Sequence, residues 1–510
     1  MLALLVILHL LSITYGYKIL VYNPKLSYSH VKYMAAIAEV LEKAGNDVTS
    51  LVVDIDPRMA NTTDCAKMSY VPAAPTPSLR AITHRVSDSD VFLRKSGLYG
   101  AAAEMSVVNY QAVKREFFLF QRAQDQAVAF ADQCRFTLQY EHILDELRAS
   151  KYDVLITEQF DYCGAGISHA IGAKALITLT TSHLLPLCSL ELGVPLTPSY
   201  TPEYPNLNMH SLWDRMVNLE KFATVFVFNW VYRSHMDDVF KAHFGQDFPD
   251  LNELNSRAAF HLTAIEPLIS LGRPTLRKII DIGGLTVRKA QPLEEEFLDI
   301  LKRRKRNVVV SFGSLVESKG MNIDYKRAFL KAFSRFPNTT FLWKYEDTDD
   351  DFARTEVTNV PNVILAKWIP QSDLLGSGKV AALISHAGMA STNEVATYGV
   401  PALFIPLFAD QFRNAATLEE LGMSISYDKF KLADDQLLTE HIQRLLETES
   451  IKIAADRTSR ILANRPYSPA EQLIKHVEFA AKFGWRTCGL SVFSYPSLNI
   501  ICSTFSLCFL

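Results

Sequence analysis

One stretch, residues 368–411, constrains the fold of this 510-residue chain more than any other. An apolar run at 380–384 ends in the small-residue turn Ser385-His386-Ala387-Gly388, a helical segment follows at 390–398, and a second apolar run covers 400–406. This order of strand, turn, helix and strand is typical of a βαβ unit in a parallel sheet. Ligands of such sheets bind beyond the carboxyl ends of the strands. There the turn opens the helix, whose free backbone N–H groups attract an anion.

The side chains at the start of this stretch suit a nucleotide. The indole of Trp368 offers a planar face on which a base can stack, and Gln371 can address the edge of that base. His386, in the turn, can donate a hydrogen bond to a phosphate. We therefore expect a base and a phosphate to bind here side by side.

The side chains that follow suit two sugars. Glu394 comes eight residues after His386 on the same helix, and its carboxylate can accept hydrogen bonds from ribose hydroxyls. Asp410 and Gln411 follow the next strand and match the hydroxyls of a sugar ring. Taken in order, the stretch fits base, diphosphate, ribose and hexose, which together make a nucleotide sugar.

The stretch resembles the donor-binding signature of the UDP-glycosyltransferase family, which includes the animal glucuronosyltransferases. The resemblance rests on W-x-P-Q at the start, the S-H-x-G turn, the glutamate eight residues later and P-L-F-A-D-Q at the end. It implies that the Trp and Gln meet uracil, the His-x-Gly turn meets the diphosphate, the Glu meets ribose, and Asp-Gln meets the transferred sugar. The chain departs from the family at Ala390, where many members have Asn. One donor contact is therefore absent or supplied elsewhere.

A second candidate site lies near the amino terminus. Residues 18–23 and 48–53 predict buried strands, and the helical spacing between them places His30 in the first turn of a helix, over the carboxyl end of the first strand. The helix dipole is expected to keep this imidazole neutral and able to accept a proton. The resemblance implies the same role, because a His at this place in the family deprotonates the acceptor.

The resemblance also implies a carboxylate partner for that His. A helix predicted at about 137–147 leads into a strand predicted at 154–157. In the family this partner follows that strand and is usually an Asp. Glu158 occupies the position with one more methylene, and Asp161 is a second candidate three residues on. The sequence leaves the choice open.

Residues 307–312 predict the strand that opens a second domain, and the resemblance places the Ser of the turn after it on the diphosphate. The donor-binding residues predicted in all are Ser314, Trp368, Gln371, His386, Gly388, Glu394, Asp410 and Gln411. Asp347-Thr-Asp349 is a metal-binding mark in a different glycosyltransferase architecture, but here it lies in a polar loop. We expect no metal and no cofactor beyond the donor substrate.

The length is too great for one ordinary core. The resemblance covers residues 17–482 and implies an α/β fold of the GT-B type, with two Rossmann-like, doubly wound parallel-sheet domains facing across a cleft. The expected division is a signal peptide at 1–16, an acceptor-binding domain at 17–283, a UDP-sugar-binding domain at 284–486 whose final helix returns to the first domain, and an uncharged apolar tail at 487–510.

The two ends of the chain bear on its location. The Leu-rich run at 1–16 resembles a secretory signal peptide, and the sequons at Asn61 and Asn338 would be glycosylated in the endoplasmic reticulum lumen. The tail is long enough to span a membrane, but Pro496 and Asn499 interrupt it and no Lys or Arg follows. We therefore expect weak membrane association. A net charge of −3 gives no reason to expect nucleic acid as a partner.

The sequence thus predicts an inverting glycosyltransferase that moves a glucuronosyl or glucosyl group from a UDP-sugar to a hydroxyl of a small lipophilic acceptor. One alternative is a catalytically impaired UDP-sugar-binding protein of the same fold, favoured by Glu158 in place of Asp and by Ala390. The other is an oxidoreductase, disfavoured because Gly164-Ala-Gly166 lacks the third glycine of a dinucleotide fingerprint and suits tight helix–strand packing instead. The sequence does not choose between glucose and glucuronate.

Overall fold

A computed structural model describes residues 16–25, 28–55, 67–76, 110–159, 162–201, 210–314 and 316–484 of the chain. At 110–123, 221 and 223–228 the helical backbone is described without its side chains. Residues 1–15 of the predicted signal peptide, the tail, the Asn61 sequon and Asp161 lie outside the described residues.

The first sheet has seven parallel strands in the order β3-β2-β1-β4-β5-β6-β7. The strands are β1 (Lys18–Lys25), β2 (Asp47–Asp54), β3 (Met68–Val71), β4 (Val154–Glu158), β5 (Ala175–Thr180), β6 (Phe260–Thr263) and β7 (Ile279–Asp281). The helices are α1 (Tyr28–Lys43), α2 (Tyr110–Leu138), α3 (Glu141–Ser150), α4 (Cys163–Ala170), α5 (Pro186–Leu192), α6 (Leu212–Phe244) and α7 (Leu251–Ser256). Separate apolar clusters cover the two faces of this sheet, which explains why its central strands are nearly continuous apolar runs.

The second sheet has six parallel strands in the order β10-β9-β8-β11-β12-β13. The strands are β8 (Arg306–Ser311), β9 (Thr339–Lys344), β10 (Val363–Ala366), β11 (Ala382–Ser385), β12 (Ala402–Phe404) and β13 (Ser424–Ser426). The helices are α8 (Glu295–Lys302), α9 (Ile323–Ser334), α10 (Asp351–Thr355), α11 (Gln371–Gly376), α12 (Met389–Tyr398), α13 (Gln411–Glu420), α14 (Asp435–Glu447), α15 (Glu449–Ala463) and α16 (Pro469–Phe483).

Both sheets are doubly wound, which confirms the predicted pair of Rossmann-like domains. In each sheet the chain first adds strands on one side of its opening strand and then reverses direction. The reversal falls between β1 and β4 in the first sheet and between β8 and β11 in the second. The carboxyl ends of these four strands are the places where ligands of such sheets bind.

The last helix, α16, packs on the first sheet. Its Leu473, Val477 and Ala480 share a buried cluster with Ile19 and Ile177 of β1 and β5. Polar contacts also tie the two parts of the chain together. Arg465 forms an ion pair of 2.7 Å with Glu266, and Asn393 of α12 donates to the carbonyl of Ala264 at 3.2 Å.

One local prediction was wrong in detail. The helix predicted at 137–147 is two helices, because the chain turns at residues 139–140 between α2 and α3. The interpretation of Gly164 as a packing glycine is confirmed, since a Cβ there would lie 2.0 Å from Oγ1 of Thr157 in β4. Within the residues that the structure describes, no helix combines the length and the apolar character that a membrane span requires.

Candidate active site

The first half of the site is a hydrogen-bonded group at the reversal point of the first sheet. His30 lies in the first turn of α1, after β1, and Glu158 is the last residue of β4. Nδ1 of His30 lies 2.7 and 2.8 Å from the two carboxylate oxygens of Glu158. Thr181, just after β5, donates to the same carboxylate at 2.7 Å. The additional methylene of Glu158, compared with Asp, therefore does not keep its carboxylate from the imidazole.

The electrostatics of this pair differ from the sequence expectation. Burial by itself acts to lower the pKa of His30, but the charge and the hydrogen bond of Glu158 outweigh it, so the pKa is raised. Burial acts in the opposite sense on Glu158, yet the neighbouring imidazole and the Thr181 hydrogen bond hold the pKa of this carboxyl below its usual value. The expectation that the helix dipole lowers the pKa of His30 was wrong in direction, because a carboxylate in direct contact acts more strongly than a partial charge at a helix end.

The second half of the site centres on the turn between β11 and α12. The His386 ring lies between two glycines: a Cβ on Gly313 or on Gly388 would come within 2.7 Å of the imidazole. Burial, and the charge of Lys344 after it, lower the pKa of His386 to about 4, so this ring is neutral at pH 7. It can donate one N–H to an anion but brings no charge of its own. Ser314 follows Gly313 in the turn after β8, so the two predicted diphosphate residues lie at the reversal point of the second sheet.

Two alanines hold the turns of this sheet in left-handed backbone conformations. Ala387, before α12, has φ of 63°, and Ala409, before α13, has φ of 53°. A non-glycine residue in this region costs roughly 1–2 kcal/mol and is held there by its surroundings. Asn414 supplies such a restraint, because its side-chain amide donates to the carbonyl of Ala387 at 3.0 Å and to Asp410 at 2.8 Å.

The predicted base platform, Trp368, precedes α11 and is 56% exposed. The Nζ of Lys344, at the end of β9, lies 5.5 Å from the centre of the indole. The same ammonium group donates to the carbonyl of Gly313 and to Glu346, each at 2.9 Å. The platform is therefore connected through Lys344 to the turn that carries Ser314.

The structure brings Gln371 and Glu394 into direct contact. The Gln371 amide donates to the Glu394 carboxylate at 2.6 Å and to Ser391 at 2.9 Å, and Ser372 also donates to Glu394. Burial raises the pKa of Glu394. The residues predicted for the base edge and the ribose thus form one preassembled group beside the platform. Ala390 is exposed in the first turn of α12.

Asp410 and Gln411 lie at the start of α13. The side-chain oxygen Oε1 of Gln411 accepts from the backbone N–H groups of Leu407 and Phe408 at 2.8 and 3.1 Å. These bonds order the turn after β12 and leave the side-chain NH2 of Gln411 as the donor end. Burial raises the pKa of Asp410, while the nearby side chains of His183 and His30 act to lower it. Asp410 therefore lies within electrostatic range of the candidate base across the cleft.

Sequence reasoning missed three residues of this group: Thr181, His183 and Lys344. Each follows or ends a buried strand at the carboxyl edge of its sheet, so a polar side chain directly after an apolar run was the available signal. For metals, no three His, Cys, Asp or Glu side chains in the described part of the chain converge as a site would require. Asp347 and Asp349 are exposed.

Known proteins are similar to this chain along most of its length. The family model described as UDP-glucoronosyl and UDP-glucosyl transferase matches residues 17–509. The Caenorhabditis elegans protein ugt-50 is 27% identical over 476 residues, which cover 91% of this chain and 86% of the relative. UDP-glucuronosyltransferase 3A1 of Bos taurus is 28% identical over 358 residues, 69% of this chain and 66% of the relative.

Solved structures show the same fold at low sequence identity. The glycosyltransferase VinC, crystallised in complex with DTDP, aligns with a TM-score of 0.58 and 16% identity over 92% of this chain and 100% of its own. The rhamnosyltransferase SpnG aligns with a TM-score of 0.56 and 15% identity over 91% of this chain and 100% of its own. The architecture is therefore GT-B. With a family model that covers nearly the whole sequence, this chain belongs to the UDP-glycosyltransferase family and is a glycosyltransferase that uses a UDP-sugar donor.

Proposed function

We propose that the chain is an inverting transferase in which His30 is the general base toward a hydroxyl group of a small lipophilic acceptor. The observation that carries this proposal is the contact of His30 Nδ1 with Glu158, at 2.7 Å. When Nδ1–H donates to the carboxylate, the lone pair of the imidazole is on Nε2. Nε2 can then accept a proton from an acceptor hydroxyl.

The reaction that follows is a single displacement. The acceptor hydroxyl loses its proton to Nε2 of His30 as its oxygen bonds to the anomeric carbon of the donor sugar. The bond from that carbon to the diphosphate oxygen breaks, and its electron pair leaves with UDP. One in-line attack inverts the anomeric centre, so an α-linked donor gives a β-glycoside. Glu158 stabilises the imidazolium that forms, which is the task of the carboxylate in other His–carboxylate pairs.

The departing UDP is stabilised in this proposal by the turn at the start of α12. The neutral His386 ring can donate an N–H, and the first backbone amides of the helix favour an anion. Ser314 and Gly388 complete this diphosphate group. Trp368 stacks on uracil, the Gln371–Glu394 pair serves the base edge and the ribose, and Asp410 with Gln411 holds the sugar.

The alternative hypothesis, a catalytically impaired UDP-sugar-binding protein, rested partly on Glu158 in place of Asp. The 2.7 Å contact and the buried position of Glu158, which is 3% exposed, support a working pair instead. Ala390 still replaces an expected donor contact. A polar side chain, Asn393, lies on the same helix, but it donates to the carbonyl of Ala264 in the first domain.

The donor sugar can be glucose or glucuronate. Arg413 is 7% exposed and lines a pocket that opens to solvent, together with His183, Asn393 and others. A cation in this position supports inclusion of a sugar with a carboxylate, as in UDP-glucuronate, among the donors to be tested.

For the cellular location of the protein, we propose the endoplasmic reticulum lumen. The sequon at Asn338 lies within the described residues. Asn338 is exposed in the turn before β9, so the glycosylation machinery of that compartment would reach its side chain.

The test is a transfer assay with the purified full chain. UDP-glucose and UDP-glucuronate are each supplied with a mixed panel of phenols and lipid alcohols, and UDP release and glycoside formation are both measured. We expect UDP release to match glycoside formation, with β configuration in the product by proton NMR. Binding of UDP-sugar without acceptor-dependent release would support the non-catalytic alternative, and an α-glycoside would overturn the single displacement.

A further inference from the structure

The helix that carries the proposed base touches the base platform of the other domain. Tyr28 is the first residue of α1, two positions before His30. Its ring lies against the indole of Trp368, with the ring centres 5.7 Å apart and the ring planes at 79°. This edge-to-face arrangement is a favourable geometry for two aromatic rings. The contact crosses the cleft, because Tyr28 belongs to the first sheet domain and Trp368 to the second.

Both ends of this contact are fixed within their own domains. On the donor side, Lys344 lies 5.5 Å from the indole centre and is itself held by the Gly313 carbonyl at 2.9 Å. On the acceptor side, His30 is held by Glu158 at 2.7 Å. One residue separates Tyr28 from His30 within a single helical turn, so a displacement of the start of α1 relative to Trp368 moves the Tyr28 ring and His30 together.

A contact between the two domains, such as that of Tyr28 with Trp368, affects catalysis in a two-domain transferase through the geometry of the reacting groups. The base lies on one sheet and the donor on the other, so the distance between the base and the reacting carbon depends on how the domains meet. A misplacement of about 1 Å at the reacting atoms can cost roughly a hundredfold in rate. A contact between the base platform and the helix that carries the base can limit how far that distance varies.

We propose that Tyr28 is a positioning residue, whose ring contact with Trp368 sets His30 in register with the sugar of a bound UDP-sugar. The inference rests on the proposed function, since it presumes that His30 acts on the acceptor. It assigns no direct contact between Tyr28 and the reacting atoms. The energetic coupling between Tyr28 and Trp368 should therefore appear in kcat and leave the titration of the His30–Glu158 pair unchanged.

The test is a double-mutant cycle on kcat at saturating UDP-sugar, with Tyr28→Ala, Trp368→Ala and the double variant. We expect Tyr28→Ala to lower kcat by about tenfold or more, with the donor KM changed by less than about threefold and the acidic limb of the pH profile unmoved. Tyr28→Phe, which keeps the ring, should restore kcat to within about twofold of the wild type. In the Trp368→Ala background, adding Tyr28→Ala should cost nothing further.

Two results would overturn the inference. Additive losses in the cycle would show that the two rings act independently, and a loss in Tyr28→Phe equal to that in Tyr28→Ala would assign the effect to the hydroxyl. If Tyr28→Ala does not fold, Tyr28→Leu replaces it in the cycle, since it keeps apolar bulk without an aromatic edge. The proposed function is tested separately by the wild type: transfer by the wild type with a normal kcat in Tyr28→Ala defeats the positioning role alone, whereas a wild type without transfer defeats the proposed function.

Discussion

Glu158 and His30 meet through Nδ1 of the imidazole, at 2.7 Å, although 128 positions separate them in the chain. They meet because β1 and β4 are neighbours at the point where the first sheet reverses its strand order. The ring nitrogen that faces the carboxylate cannot also face the acceptor, so the geometry leaves Nε2 for the chemistry.

Replacement of His30 by alanine should remove transfer and leave the nucleotide site intact. We expect the transfer rate to fall by about a hundredfold or more, as is typical for loss of a general base. The affinity for UDP, measured by calorimetry, should stay near that of the wild type, because Trp368 and the α12 turn lie on the other sheet. His142→Ala, on the exposed face of α3, is the matched control and should behave as the wild type. An equal loss of UDP affinity in His30→Ala would mean that His30 is structural or that the domain roles are reversed.

Glu158→Gln should cost much more activity than Asp161→Asn. Glutamine keeps the size of the side chain but cannot balance the imidazolium, so we expect a loss of about a hundredfold or more in kcat. Thermal melting of the variant separates this loss from misfolding. A larger effect of Asp161→Asn would move the partner role to Asp161.

The acidic limb of the pH profile should lie above the ordinary His pKa of 6.5, because Glu158 raises the pKa of His30. The base must be neutral, so kcat/KM should fall as the pH drops through this raised value. In Glu158→Gln the raising charge is absent, and the residual activity should show its acidic limb at lower pH than the wild type. An unmoved limb would show that another group controls the profile.

Trp368→Ala should weaken UDP binding by about 1–3 kcal/mol, the usual contribution of base stacking on an aromatic ring. The indole is 56% exposed, so its removal opens no large cavity in the core. Calorimetry with UDP and with uridine should show similar losses, since stacking involves the base. Unchanged affinity for both ligands would exclude the platform role.

The carboxyl-terminal tail should hold the enzyme to membranes weakly. Residues 487–510 lie outside the described structure, and the expectation rests on Pro496 and Asn499, which interrupt the apolar run. Alkaline carbonate washing of microsomes should therefore release most of the protein. Full retention in the pellet, with the carboxyl end open to protease from the cytosolic side, would show a tail that spans the bilayer.

Much of the fold was predictable because buried parallel strands give apolar runs of clear length. The unit from β11 to β12 is the best example, since small-residue turns mark its limits in the sequence. The turn between α2 and α3 was missed, because the residues on either side of it continue a helical pattern. The tail and most of the predicted signal peptide lie outside the described residues, so the expected signal peptide and the expected membrane association stay predictions.

The residues of the candidate site could be predicted where they belong to a sequence motif. They could not be predicted where their contacts depend on the pairing of strands that are distant in the sequence. Thr181 reaches Glu158 through the pairing of β4 with β5, and Lys344 reaches Trp368 through the pairing of β9 with β10. Neither contact has a fixed spacing in the sequence. The pKa of His30 was misjudged for the same reason, since its partner could be named from the sequence but not placed against Nδ1.

The left-handed alanines Ala387 and Ala409 have a thermodynamic consequence for donor binding. Alanine samples this backbone region far less readily than glycine, so the two turns owe their geometry to restraints such as Asn414 rather than to the donor. The entropy of ordering them is therefore lost when the chain folds and not when UDP arrives. Variants with glycine at both positions should bind UDP with a larger unfavourable entropy in the calorimeter, even where the free energy of binding changes little.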